Sequence, residues 1–233
     1  MNKIKGLIIK DLLNLSKYKF SIIVIFIVFI LCFIKEPMII PIMVLAMIGM
    51  IGMSTFNYDE TSNSNNYLLS LPTSKKQIVL AKYIFLIGLI VLGALLSFII
   101  IYLASYILVH FNYVEEVINY KDLLNPILCG GFSILLVIAI QIPSVYKWGA
   151  EKGRIQMFIL IIIVIGLVLG LFYLVTKNNI NVNYSDIKNF IITWGPYLLG
   201  LFLIVIYFIS YKLSLKIYLN KEYLGQPHKK YKD

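Results

Sequence analysis

The feature that most constrains this chain is a series of long apolar runs without charge. Residues 83–109, YIFLIGLIVLGALLSFIIIYLASYILV, contain no Asp, Glu, Lys, Arg or His. A run of about 18 or more such residues crosses the roughly 30 Å hydrocarbon core of a bilayer as a helix. Further runs lie at about 18–34, 38–56, 123–146, 155–176 and 191–211. The first is short at its uncharged centre and extends if Lys17 and Lys19 snorkel. A 233-residue chain that is 60% hydrophobic, with mean hydropathy +0.88, has no soluble interior large enough for that surface. The expected fold is therefore an all-α, polytopic integral membrane protein with six transmembrane helices.

Lysine and arginine set its orientation. Lys3, Lys5, Lys10, Lys17 and Lys19 precede the first span; Lys75, Lys76 and Lys82 follow the second. Lys147, Lys152 and Arg154 follow the fourth; Lys212, Lys216, Lys221, Lys229, Lys230 and Lys232 follow the sixth. The opposite side receives Lys35, Lys121, Lys177 and Lys188. The positive-inside rule then predicts cytoplasmic termini and a cytoplasmic loop at 57–82. It also accounts for the formal charge of +10 without a nucleic-acid partner. Cys32 and Cys129 sit in apolar runs with no metal or disulfide spacing around them and read as reduced packing residues. The first run leads into Lys35-Glu36-Pro37 rather than a small-x-small site, so a cleaved signal peptide is not expected.

Residues 1–17 form an expected amphipathic elbow helix. Ile4, Leu7, Ile8, Leu12 and Leu15 recur at helical spacing, with Lys3, Lys10, Asp11, Asn14 and Lys17 away from them. The six-helix domain is expected over 18–212 and a basic cytoplasmic tail over 213–233. Its lysines either touch anionic headgroups or enforce topology. Before the last span, the 177–195 segment reads either as a plain loop or as a short re-entrant helix capped by Ser185. Gly195-Pro196 is a second possible start for that span.

The span centres hold no ionisable side chain, and the two histidines, His110 and His228, lie outside them. Coupling-ion sites and proton relays use such groups, so an ion-driven transporter is disfavoured. No HExxH and no phosphate-binding glycine loop occurs; GAEKGR at Gly149 lacks the required spacing. The chain is expected to have no catalytic residues, no metal and no cofactor of its own. Small residues mark helix packing: Gly166 and Gly170 as GxxxG, Gly93 with Ser97, and a weaker stripe at Ala46, Gly49 and Gly52. Pro143, near Gln141 and Ser144, removes a backbone donor from the fourth span and bends it.

The 57–82 loop, NYDETSNSNNYLLSLPTSKKQIVLAK, is polar except for an apolar knot at Tyr67, Leu68, Leu69, Leu71 and Pro72. Ser74 and Gln77 have capping-box spacing, so the third helix is expected to start near Lys75, before the membrane. The knot either fills a groove in a cytosolic partner or folds back against the bilayer or the elbow helix.

YDE at 58–60, YLLSLPTSKKQIVLAKY at 67–83, KGLIIKDLL at 5–13 and the six spans together resemble bacterial ABC-2 type transporter permeases. The resemblance is strongest to the small permeases of the branch that includes the phenol-soluble modulin exporter. It implies a separate cytosolic ABC ATPase that carries ATP and Mg, and a second permease copy or a homologous permease. It places Tyr67, Leu68, Leu69, Leu71 and Pro72 at the ATPase interface. Asp59, Glu60, Lys75 and Lys76 become flanking contacts or structural caps, with Glu60 alternatively paired to Lys10. The implied function is ATP-driven export of amphipathic peptides across the bacterial cell membrane, within membrane lipid. A passive scaffold or immunity protein that binds toxic peptides without turnover is the alternative. Neither reading makes the chain itself an enzyme.

Overall fold

The computed structural model describes residues 2–16, 39–62, 73–110, 120–153 and 184–220, with isolated positions at 20, 23, 24, 27, 64, 68, 155, 156, 159, 162 and 166. Among the described residues every regular element is an α-helix: α1 Asn2–Ser16, α2 Ile40–Thr61, α3 Lys75–His110, α4 Tyr120–Trp148 and α5 Tyr184–Asn220. Four stretches are long and apolar enough to cross a membrane: Ile40–Thr61, Lys75–Leu103, Leu123–Trp148 and Gly200–Asn220. They correspond to the expected second, third, fourth and sixth spans. The expected first and fifth spans lie largely outside the described residues, and the described positions within them are helical.

α3 packs against α1, α2, α4 and α5, and α2 also packs against α4. Half of the membrane-length window of α2 is buried, against 17% for α5, so α2 lies closer to the centre. Small residues make that possible. A Cβ at Gly49 would come within 2.8 Å of the Ile134 side chain, and one at Gly52 within 2.8 Å of Leu86. The stripe that reads as the weaker packing signal is thus the one that seats α2 between α3 and α4. Among the described residues Gly166 of the GxxxG pair meets nothing within 4 Å, and Gly170 lies outside them.

α3 has 36 residues, about 54 Å of helix at 1.5 Å per residue. A bilayer core spans roughly 30 Å, so its turns from Lys75 onward extend beyond the hydrocarbon. Both halves of the capping box form. The Ser74 N–H donates to Gln77 Oε1 at 3.1 Å, and the Gln77 N–H donates to Ser74 Oγ at 3.3 Å.

Three expectations change. The helix before the last span begins at Tyr184 and runs through Gly195-Pro196, so neither Gly195-Pro196 nor a Ser185 cap starts it. It also continues past Lys212 to Asn220, with Ser214 and Tyr218 buried. In α1 the buried stripe is Leu7, Asp11 and Leu15, while Leu12 is exposed beside Ile9 and Leu13. A carboxylate has taken the inward position that hydropathy gives to a leucine, because it finds two ammonium groups there.

Candidate functional site

The residues that hold the 57–82 loop gather where α1, α2 and α3 meet. Three of the charged side chains lie on otherwise apolar stripes. Asp11 sits one turn from Leu7 and Leu15, Lys82 one turn from Ile78 and Leu86, and Asp59 one turn from Thr55. Asp11 is 1% exposed, and Asp59 and Lys82 are each 4% exposed.

Lys82 Nζ donates to Asp11 Oδ1 at 2.9 Å, to Thr55 Oγ1 at 3.2 Å and to Asp59 Oδ2 at 2.6 Å. These three acceptors use all three ammonium protons. The ring of Phe56 lies 4.8 Å from Nζ and adds a cation–π contact. Lys10 reaches Asp59 Oδ1 at 2.6 Å and Asp11 Oδ1 at 3.2 Å. Two cations thus balance two carboxylates; Asp11, Asp59 and Lys82 are buried, and Lys10 closes the cluster from its partly exposed edge. Burying any one of them alone would cost several kcal/mol.

Asp59 also carries the loop. Ser64 Oγ donates to its Oδ1 at 2.8 Å, and Thr73 Oγ1 donates to the Leu68 carbonyl at 3.2 Å. Leu68 is helical and 2% exposed, within the apolar core. In the chain by itself the Leu68 side chain turns inward and anchors the loop. Tyr67, Leu69, Leu71 and Pro72 lie outside the described residues.

Glu60 does not pair with Lys10, because Asp59 takes that lysine. Instead Glu60 Oε2 accepts the Ala150 N–H at 2.7 Å, at the start of the helical turn 150–153. A carboxylate suits the partial positive charge of a helix N-terminus. Gly149, at φ +88°, allows the turn out of α4, and a Cβ there would sit 2.7 Å from Glu60 Oε1. The glycine run that lacks phosphate-loop spacing is thus a helix-to-helix junction gripped by α2. Lys75 Nζ donates to the Leu219 carbonyl at 3.3 Å and covers the C-terminal end of α5, whereas Lys76 is exposed.

Sequence reading missed Asp11, Thr55 and Lys82 as members of this centre. One signal was available: Asp11 is the sole acidic residue in α1 and keeps the spacing of its apolar stripe. Among the described residues no group of three or more His, Cys, Asp and Glu is arranged to hold a metal.

A bundle of apolar, membrane-length helices fastened at one end by a buried ionic centre defines a multi-pass helical membrane protein. Residues 6–219 match the family described as ABC-2 family transporter protein, so the chain belongs to that family and is a transporter permease component. No curated protein and no solved structure matches it.

Proposed function

We propose that the chain is the permease subunit of an ATP-driven exporter, with six spans, both termini in the cytoplasm and α1 lying in the membrane interface of a bacterial cell. It works with a cytosolic ABC ATPase that binds ATP and Mg, and with a second permease copy. Its cargo is an amphipathic peptide, as in the phenol-soluble modulin branch. The observation that carries the reading is the attachment of the connection between α2 and α3 to a buried ionic centre. Asp59 joins Ser64 of the loop to α1 and α3. A force applied to the loop is thereby passed to three helices at once.

Leu68 holds the loop from inside, and the rest of the knot, Tyr67, Leu69, Leu71 and Pro72, is the part we assign to the ATPase. The test is co-purification with the ATPase encoded beside it, using Tyr67→Asp and Leu69→Asp. A carboxylate in an apolar groove costs several kcal/mol or takes up a proton. The complex and its permease-stimulated ATP hydrolysis should be lost while the isolated permease stays folded. An unchanged complex and unchanged hydrolysis would remove the coupling role. Peptide binding without ATP-dependent efflux from vesicles would favour the passive immunity reading instead.

A further inference from the structure

Pro143 lies inside α4 and has no N–H. The carbonyl four residues earlier belongs to Ala139, which is 1% exposed, and Pro143 cannot donate to it. A donor comes from another helix: the hydroxyl of Ser210 on α5 donates to the Ala139 carbonyl.

That bond fixes the direction of a longer chain. A hydroxyl has one proton, and that of Ser210 is committed to Ala139. Its 2.6 Å contact with Tyr83 Oη must then have Tyr83 as donor. The 2.8 Å contact between Tyr83 Oη and Ser214 Oγ must in turn have Ser214 as donor. The order is Ser214 to Tyr83 to Ser210 to the Ala139 carbonyl, and it joins α5, α3 and α4. Tyr207 and Tyr211 pack edge-on against the Tyr83 ring, at centroid distances of 6.0 and 5.7 Å.

We propose that Pro143 is a hinge in α4 and that Ser210 is its releasable latch, so that the transport cycle opens α4 from α5 at the freed Ala139 carbonyl. The proposal rests on the permease reading for its role in transport. Release is cheap for Ser210, because a helical serine can donate to the carbonyl four residues before it in its own helix, here Ile206. The Ala139 carbonyl then meets water admitted between the two helices. α3 does not follow the movement, because Lys82, next to Tyr83, is held by Asp11 and Asp59.

The experiment is a double-mutant cycle of Ser210→Ala and Pro143→Ala on the full chain with its ATPase. Alanine at 143 restores the N–H and makes the Ser210 donor dispensable. Hydrogen exchange over residues 139–148 should speed up on the order of tenfold in S210A, matching the loss of one buried bond. It should return to near the parent rate in the double variant. Reconstituted P143A should keep its ATPase partner yet turn over several-fold more slowly. Additive effects of the two substitutions on exchange would overturn the latch, and parent-like turnover of P143A would overturn the hinge. If the parent complex moves no substrate, the permease reading and the hinge's transport role both fail, while the exchange cycle still decides the latch.

Discussion

Lys82 and Tyr83 are neighbours on α3, point about 100° apart and meet different helices. Lys82 turns to α1 and α2 and enters a centre of four charges, with each of its protons bound. Tyr83 turns to α5 and enters a chain of neutral hydroxyls ending on a backbone carbonyl of α4. Both regions are buried and both tie three helices together, yet their energetics differ. A buried charge has no inexpensive alternative partner, so the ionic side is fixed once formed. A hydroxyl exchanges one neutral acceptor for another at little net cost, because such bonds contribute only about 0.5–1.5 kcal/mol each. One helix therefore carries a rigid face toward the loop and an exchangeable face toward the hinge.

The largest expected effect tests the rigid face. Asp59→Ala leaves Lys82 and Lys10 sharing one carboxylate, and should cost about 3–5 kcal/mol. Thermal denaturation of the purified permease would report it, and a shift no greater than that of a surface variant would end the contrast. Lys82→Met should approach the same loss, whereas Lys82→Met combined with Asp11→Leu should recover most of it, since a neutral apolar pair replaces an ion pair. The same melting measurement distinguishes the pair from the single variant.

Next in size is Gly149→Ala, which meets both the left-handed backbone and Glu60. It should cost about 1–2 kcal/mol. A further Glu60→Ala should then add little, because the bond to Ala150 is already displaced; equal losses in either background would separate the two features. The smallest effect belongs to the exchangeable face. Tyr83→Phe keeps the ring contacts with Tyr207 and Tyr211 and removes one neutral hydroxyl, for about 0.5–1.5 kcal/mol. A loss as large as that of Asp59→Ala would show the hydroxyl chain to be as rigid as the ionic centre.

Much of the fold was legible because hydropathy acts locally. Apolar runs without charge must be helices in a bilayer, and the Ser74–Gln77 spacing marks where α3 starts. Partner choice was harder to read. Asp59 and Glu60 are adjacent acids, and nothing in YDE says that one meets Lys82 and the other an amide at Ala150. Likewise the stripe at Gly49 and Gly52 is the weaker pattern, yet it makes close contacts with Ile134 and Leu86. A small residue permits close approach without naming the helix that arrives.

The sequence alone determined the helical membrane class, the start of α3, the family resemblance and the position of a loop with an apolar knot. These follow from composition and from spacings shorter than two helical turns. Only the tertiary structure decided that Asp11 points inward, that Leu68 is an anchor, and that Ser210 serves the carbonyl freed by Pro143. Each depends on residues brought together from distant parts of the chain, where burial removes water as a competing partner and leaves only the neighbours the fold supplies.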